Sequence, residues 1–381
     1  MATTALTNCR VVLRDEVRSD LCVVIDNGRI AAVAEQAPAG VNRIDLGGEL
    51  LLPGFIDVQV NGGGGRLFND DPSVDTIAIM AAAHRRFGTT GLMPTLISDE
   101  LSVVERAIAA VGEAIESGVP GVLGVHIEGP FLSSTRRGIH LASMLQSFDD
   151  GFIDFLCAPH QGRTLLTIAP ECITPKQISR LVESGVIVCA GHSDADYETV
   201  RAAIDAGMSG FTHLFNAMSQ LTPRAPGMVG AALEDRSTYA GIIVDGHHLH
   251  PATFRVGLQA KGTGRLMLVT DAMPTVGAED QEFMLQGRAI RRDGDKLLSQ
   301  EGVLAGSTLT MATAVANAIE QGGIDLPAAV EMATRTPAQF LGIAGETGAI
   351  EIGLRADLIA MRDDFIVTRT WIEGEGQGLP A

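Results

Sequence analysis

Eight short apolar runs recur through the middle of this chain, near residues 54–60, 88–97, 122–128, 164–169, 186–191, 209–214, 240–245 and 266–270. Each has the length of a strand, and most are followed by a segment with helical apolar spacing. That alternation leaves two architectures: parallel strands with crossover helices, either closed into a barrel or left as an open doubly wound sheet. The open sheet is the weaker option. No GxGxxG follows the first run, and polar residues stand at too many strand ends to serve one crevice. The spacing predicts a (β/α)8 barrel of the TIM type.

The helix signals are local. Asp75 to Phe87 carries an apolar stripe ended by Gly88, and Thr174 followed by Pro175 opens a helix to Glu183. Ser193 or Asp194 is placed to cap a helix to Ala206, and Gly306 with Ser307 reads as the start of another to Gln321. The two ends of the chain differ in texture. Residues 1 to about 52 and the stretch after 347 carry short strand-like runs, with a tight turn signal at Asp26, Asn27 and Gly28. The expected organisation is a small β-sandwich domain from 1–52 plus 347–381, around a barrel at 53–346.

Four of the apolar runs end in residues that bind metals or move protons: Glu128, His192, His213 and Asp271. A buried strand favours apolar residues, and an ionisable exit without a partner is costly. In a barrel all strand C-termini open on one face, so residues far apart in sequence converge there. A carboxylate and two imidazoles suit one divalent ion, zinc first, with a position left open for water. Asp271, beside it, is placed to act as acid and base. His126 lies two residues before Glu128 and shares its face of the strand, as a second-layer or direct participant. One of His247, His248 and His250 is placed to polarise a carbonyl. His84 and His160 read as surface residues. The glycines from Gly62 to Gly65 lack a following Gly-Lys-Ser/Thr, so a mobile loop or lid is expected rather than a phosphate loop.

A net charge of −18 disfavours nucleic acid and anionic membrane, and leaves any phosphate dependent on a local cation. No apolar stretch reaches spanning length, and the N-terminus lacks the pattern of a secretory signal. Five cysteines without a CxxC pair fit a reduced cytoplasmic protein.

Seven stretches in order along the chain carry a family resemblance: PGFIDVQVNG at 53–62, HIEGPF at 126–131, AGHS at 190–193, THLFNAM at 212–218, DGHH at 245–248, VTDA at 269–272 and LAGS at 304–307. Together they resemble the N-acetylglucosamine-6-phosphate deacetylases of the amidohydrolase superfamily. The resemblance implies hydrolysis of the acetamide of an N-acetylglucosamine 6-phosphate, with Glu128, His192 and His213 as ligands of one metal. Zinc comes first, and iron(II) or cobalt is comparable. It further implies Asp271 as acid/base and His248 on the acetyl carbonyl. Ile139, His140, Asn216, Ala217, Arg224, Asp245, Leu304, Ala305 and Gly306 are implied around the sugar phosphate. A homodimer is implied as well, in which Arg224 grips the phosphate across the interface. Many superfamily members hold two metals with a His-x-His pair at the first strand. Here that place holds Asp57 and Gln59, which argues for a single metal with Gln59 behind it. The alternatives are the galacto epimer of the same substrate, or a cyclic amide, for which a phosphate grip has no use.

Overall fold

The computed structural model describes residues 3–378. The outermost residues of the expected terminal domain, 1–2 and 379–381, lie outside them. The barrel strands are β1 (Phe55–Val60), β2 (Thr89–Ile97), β3 (Gly124–Glu128), β4 (Arg163–Ile168), β5 (Ile187–Ala190), β6 (Gly210–Phe211), β7 (Tyr239–Ile242) and β8 (Leu266–Leu268). They pair in parallel in that order. A parallel bridge between Val60 and Ala272 closes the ring, helped by Asp271 N–H donating to Gln59 O at 3.0 Å. The fold is a (β/α)8 barrel.

β1 and β2 are buried along their whole length, as strands covered on both faces require. Helices cover the outside. Val74–Arg85 is capped by the Ser73 side chain, and Pro175–Glu183 carries a complete capping box from Thr174 and Gln177.

Two further sheets stand outside the barrel, the first built from the N-terminal stretch alone and the second from both ends of the chain. One pairs Arg29–Ala34, Cys22–Asp26, Thr4–Thr7 and Asn42–Asp45. The other runs Glu375–Gly378, Val367–Ile372, Leu358–Met361, Leu50–Pro53, Arg10–Val12 and Val17–Arg18. The sheets share an apolar core of Leu6, Val11, Val23, Ile25, Leu51, Leu358 and Trp371. The strand at Leu50–Pro53 works on both sides. Leu51 packs in that core, while Leu50 and Leu52 pack in the barrel core, as the alternation of side chains along a strand dictates.

The structure corrects four local expectations. Gly306 and Ser307 do not start a helix. They end the strand Leu304–Ser307, and the helix Met311–Gly322 is capped by Thr310. Tyr197–Asp205 is capped by Asp196 rather than Ser193 or Asp194, because Ser193 Oγ is committed to Glu171 and Asp194 to Arg136. His84 is fully buried, with Nε2 2.9 Å from Gly62 O, on the inner face of its helix with Ile77 and Met80. The segment Gly62–Gly65 is pinned rather than loose. Gly62 and Gly63 pair with Arg66 and Leu67, and Gly64 and Gly65 donate to Val276 O and Pro274 O. A β-carbon on Gly63 would lie 2.8 Å from the His84 ring, so the close approach requires glycine.

One element had no counterpart in the sequence reading. Between β8 and Met311–Gly322 stands a four-stranded antiparallel sheet of Glu282–Leu285, Arg288–Asp293, Lys296–Ser299 and Leu304–Ser307. Its last strand joins the barrel rim through the bridge Ala272–Ser307.

Candidate active site

The four polar strand ends meet at one mouth of the barrel. Glu128 is the last residue of β3, His192 and His213 lie two residues beyond β5 and β6, and Asp271 three beyond β8. The backbone bends sharply at three of them, with φ of 48° at His192, 34° at His213 and 52° at Asp271. Non-glycine residues rarely adopt that region, and where they do the surroundings hold them there. Here Asp271 donates to Gln59 O and accepts from Ser307 N–H at 2.9 Å, while His192 O accepts from Ser133 N–H at 2.9 Å.

Glu128 Oε1 lies 3.3 Å from His192 Nε2 and 2.9 Å from His213 Nε2, and the two ring nitrogens are 3.0 Å apart. Donor atoms around a tetrahedral zinc stand roughly 3.3 Å from one another, given bonds of about 2.0–2.1 Å. The triangle therefore has the size of a cation site. Its chemistry agrees. His192 Nδ1 is 2.9 Å from the Arg136 carbonyl, which only accepts, so the ring hydrogen sits on Nδ1 and Nε2 presents a lone pair. His213 Nδ1 is buried with no partner. Burial raises the Glu128 carboxyl, but His192 and His213 outweigh it and hold the group well below the usual carboxylate range. Burial lowers the His213 ring, but Glu128 outweighs that and holds it above its ordinary value. An ionised carboxylate facing two imidazoles is the donor set a divalent ion takes.

His140 makes a second cluster with Glu128 and His192, their donor atoms within 4.8 Å of one another. Its tautomer sets it apart. The Ser98 N–H donates to His140 Nδ1 at 3.2 Å, so the neutral ring carries its hydrogen on Nε2. Burial keeps that ring well below its ordinary value, hence neutral. A ring with N–H on its free nitrogen donates a hydrogen bond and does not ligate. The triangle with His213 is the better cation site.

Asp271 is held from behind by two amides. Asn61 Nδ2 donates to its Oδ1 at 2.5 Å, and Gln59 Nε2 reaches the same oxygen at 3.3 Å. Gln59 Nε2 also lies 3.2 and 3.3 Å from the two Glu128 oxygens. Burial, then the charge of Glu128, pushes the Asp271 carboxyl up to about 6. The shift is in the direction a group needs if it is to both take and give a proton near neutral pH.

One cavity gathers Glu128, Ile139, His140, His192, His213, Asn216, Ala217, His248, Asp271, Leu304 and Gly306. Asp245 and Ala305 do not line it. Asp245 holds His248, accepting from its Nδ1 at 2.7 Å and from its backbone N–H at 2.8 Å. Ala305 packs inside the inserted sheet. His126 sits behind Glu128, bonded to Thr167 Oγ1 at 2.8 Å. Arg224 is exposed and outside the cavity lining. Sequence reasoning passed over Asn61, Gly138, Ile243, Met273 and the Gly302–Val303 turn. Asn61 was within reach, since it follows Gln59 by two residues and shares its face.

A model of the amidohydrolase family matches residues 50–376, and one of the NagA composite domain matches residues 4–51. The chain is 49% identical to an N-acetylgalactosamine-6-phosphate deacetylase of Shewanella sp. (strain ANA-3), over 85% of this chain and 82% of that one. It is 36% identical to an N-acetylglucosamine-6-phosphate deacetylase of Haemophilus influenzae, over 97% and 98%. The crystal structure of N-acetylglucosamine-6-phosphate deacetylase from Pasteurella multocida superposes with a TM-score of 0.96 at 36% identity, covering 99% of this chain and all of that one. With barrel, strand-end site and sequence in agreement, this chain belongs to the amidohydrolase family.

Proposed function

We propose that this chain hydrolyses the acetamide of an N-acetyl amino-sugar 6-phosphate, releasing acetate and the free amino sugar. The observation that carries the reading is the Glu128–His192–His213 triangle sharing one cavity with Asp271 and His248. One divalent ion, zinc first with iron(II) or cobalt comparable, fits Glu128, His192 and His213. Such an ion supplies Lewis acidity and makes water a better acid. Gln59 Nε2 donates between the Glu128 and Asp271 carboxylates, which supports a single ion.

The chain's residues then divide the work. Asp271 removes a proton from the attacking water while Asn61 and Gln59 hold its Oδ1. His248 faces the carbonyl oxygen. Its Nδ1 is held by the Asp245 carboxylate, which aims Nε2 at the carbonyl. Protonated Asp271 returns its proton to the departing nitrogen, which cannot leave as an anion. His140 Nε2–H is a donor for a sugar oxygen, and Ile139, Asn216, Ala217, Leu304 and Gly306 shape the pocket. Arg224, exposed and away from this cavity, supports a homodimer in which it reaches the partner's phosphate. An apolar cluster drawn only from residues of the two chain ends supports a terminal β unit of 1–52 plus 347–381 beside a barrel unit of 53–346. No described helix is long and apolar enough to cross a membrane. The absence of disulfides among the cysteines fits the cytoplasm.

The gluco substrate is the first reading. The galacto epimer is the second, favoured by the relative at 49% identity. An acetate-release assay on both phosphorylated epimers, with and without added zinc, iron(II) or cobalt, tests both. Release from neither, in metal-loaded protein, would overturn the proposal.

A further inference from the structure

The inserted sheet does more than cover the barrel rim. Its first turn places Gln286 (φ 47°) and Arg288 against two segments of the cavity wall. Gln286 Nε2 donates to Ser98 O at 2.7 Å, and Arg288 Nη2 donates to Ile139 O at 2.5 Å. Those two acceptors flank one residue. Ser98 N–H and Ser98 Oγ lie 3.2 and 2.8 Å from His140 Nδ1, and Ile139 immediately precedes His140. Arg137 Nη1 holds the His140 carbonyl at 2.8 Å from the other side.

Apolar packing fixes the same contact. Leu285, Ile290, Leu297 and Ala305 of the sheet form a cluster of their own with Ile97, Met273 and Ile139, all three of which line the cavity. Neither Arg288 nor Arg137 has a carboxylate partner within ion-pair distance among the described residues. Both spend N–H groups on backbone carbonyls of the loop that carries His140. Both guanidinium groups are half-buried, and they hold two consecutive carbonyls of one loop, which fixes its path on both sides of His140.

We propose that Gln286 and Arg288 are positioning residues that act through Ser98 and Ile139 to fix the tautomer and direction of His140, making the inserted sheet a substrate-affinity element of the site. The proposal rests on the sugar phosphate reading for its kinetic consequence, but not for its tautomer.

The test uses the metal-loaded enzyme, with Gln286→Ala, Arg288→Ala and Arg288→Lys alone and combined with His140→Ala. Each alanine variant should raise KM for the phosphorylated sugar about tenfold, the loss of one good hydrogen bond, while kcat stays within about threefold. Arg288→Lys should recover part of the loss. In the His140→Ala background neither change should raise KM further, since the residue they act through is gone. Additive effects in that background, or a lowered melting temperature with unchanged KM, would overturn the proposal. Ring nitrogen NMR of His140 supplies a reading without substrate. Wild type should show hydrogen on Nε2, and Gln286→Ala a mixture of tautomers. An unchanged spectrum would count against the positioning role, whatever the enzyme hydrolyses.

Discussion

Asn61 and Asp271 meet across the seam where the barrel closes, with the amide nitrogen of one 2.5 Å from Oδ1 of the other. The last strand's carboxylate is thus oriented by the first strand. The donation occupies Oδ1 and leaves Oδ2 free to exchange a proton. Asn61→Ala should lower kcat by about tenfold to a hundredfold with little change in metal content, as expected when a reacting group loses its alignment. Steady-state kinetics with metal analysis checks it.

Asp271→Asn removes the proposed proton carrier but keeps the shape. Turnover should fall by about 10²–10⁴, the usual contribution of general acid–base catalysis, while the ion stays bound. Loss of the metal together with activity would instead make Asp271 a ligand.

Removing the proposed ion should abolish activity and leave the fold standing. The core runs through both the barrel and the terminal sheets and does not depend on the site. A chelated sample should keep its far-ultraviolet circular dichroism. Re-added metal should raise the melting temperature, with about 2.7 kcal/mol of stabilisation at a hundred times Kd. His213→Ala should lose that metal-dependent rise.

Asp57 gives the protein a pH-dependent stability apart from catalysis. Burial pushes its carboxyl up to about 7, against hydrogen bonds from Thr270 and from the Gln59 backbone. An unfolded aspartate titrates near 3.9. Between those values the folded chain keeps a proton that the unfolded chain has released. Stability from this group is therefore full below about pH 4 and is lost as pH rises through about 7. Urea denaturation at several pH values should show a weaker decline for Asp57→Asn than for wild type over that window.

On the proposed role of Arg224, Arg224→Ala should raise KM for the phosphorylated sugar about tenfold or more, the loss of one charge-assisted contact, and leave an unphosphorylated analogue unaffected. Mixing Arg224→Ala with Asp271→Asn protein should restore part of the activity if the arginine serves the neighbouring subunit. Kinetics on the mixture reads this directly.

The barrel and its four reactive ends were legible because apolar runs of strand length each stop at a residue that such a strand would not otherwise bury. Helix ends were legible where a cap is followed by proline, as at Thr174. They misled at Gly306 and Ser307, whose small polar pair resembles a cap while in fact ending a strand. The inserted sheet escaped notice because its strands are short and carry charges, such as Arg291 and Arg292, that break the alternation. His84 was misplaced because one polar residue on a helix gives no sign of which side it faces. Tautomers lie beyond sequence altogether. His140 and His192 look alike as letters, and only Ser98 N–H and the Arg136 carbonyl distinguish a hydrogen donor from a lone pair.

The strand at Leu50–Pro53 pairs with Leu358–Met361 on one edge and Arg10–Val12 on the other. A growing polypeptide makes Leu51 early and Leu358 late, so the edge of that strand facing Leu358–Met361 stays unpaired, and its core lacks Leu358 and Trp371, while the whole barrel is synthesised. Completion of this module must therefore wait for the end of synthesis, and a ribosome-bound chain stopped before Leu358 would hold out an open strand edge at Leu50–Pro53, free to pair with another chain.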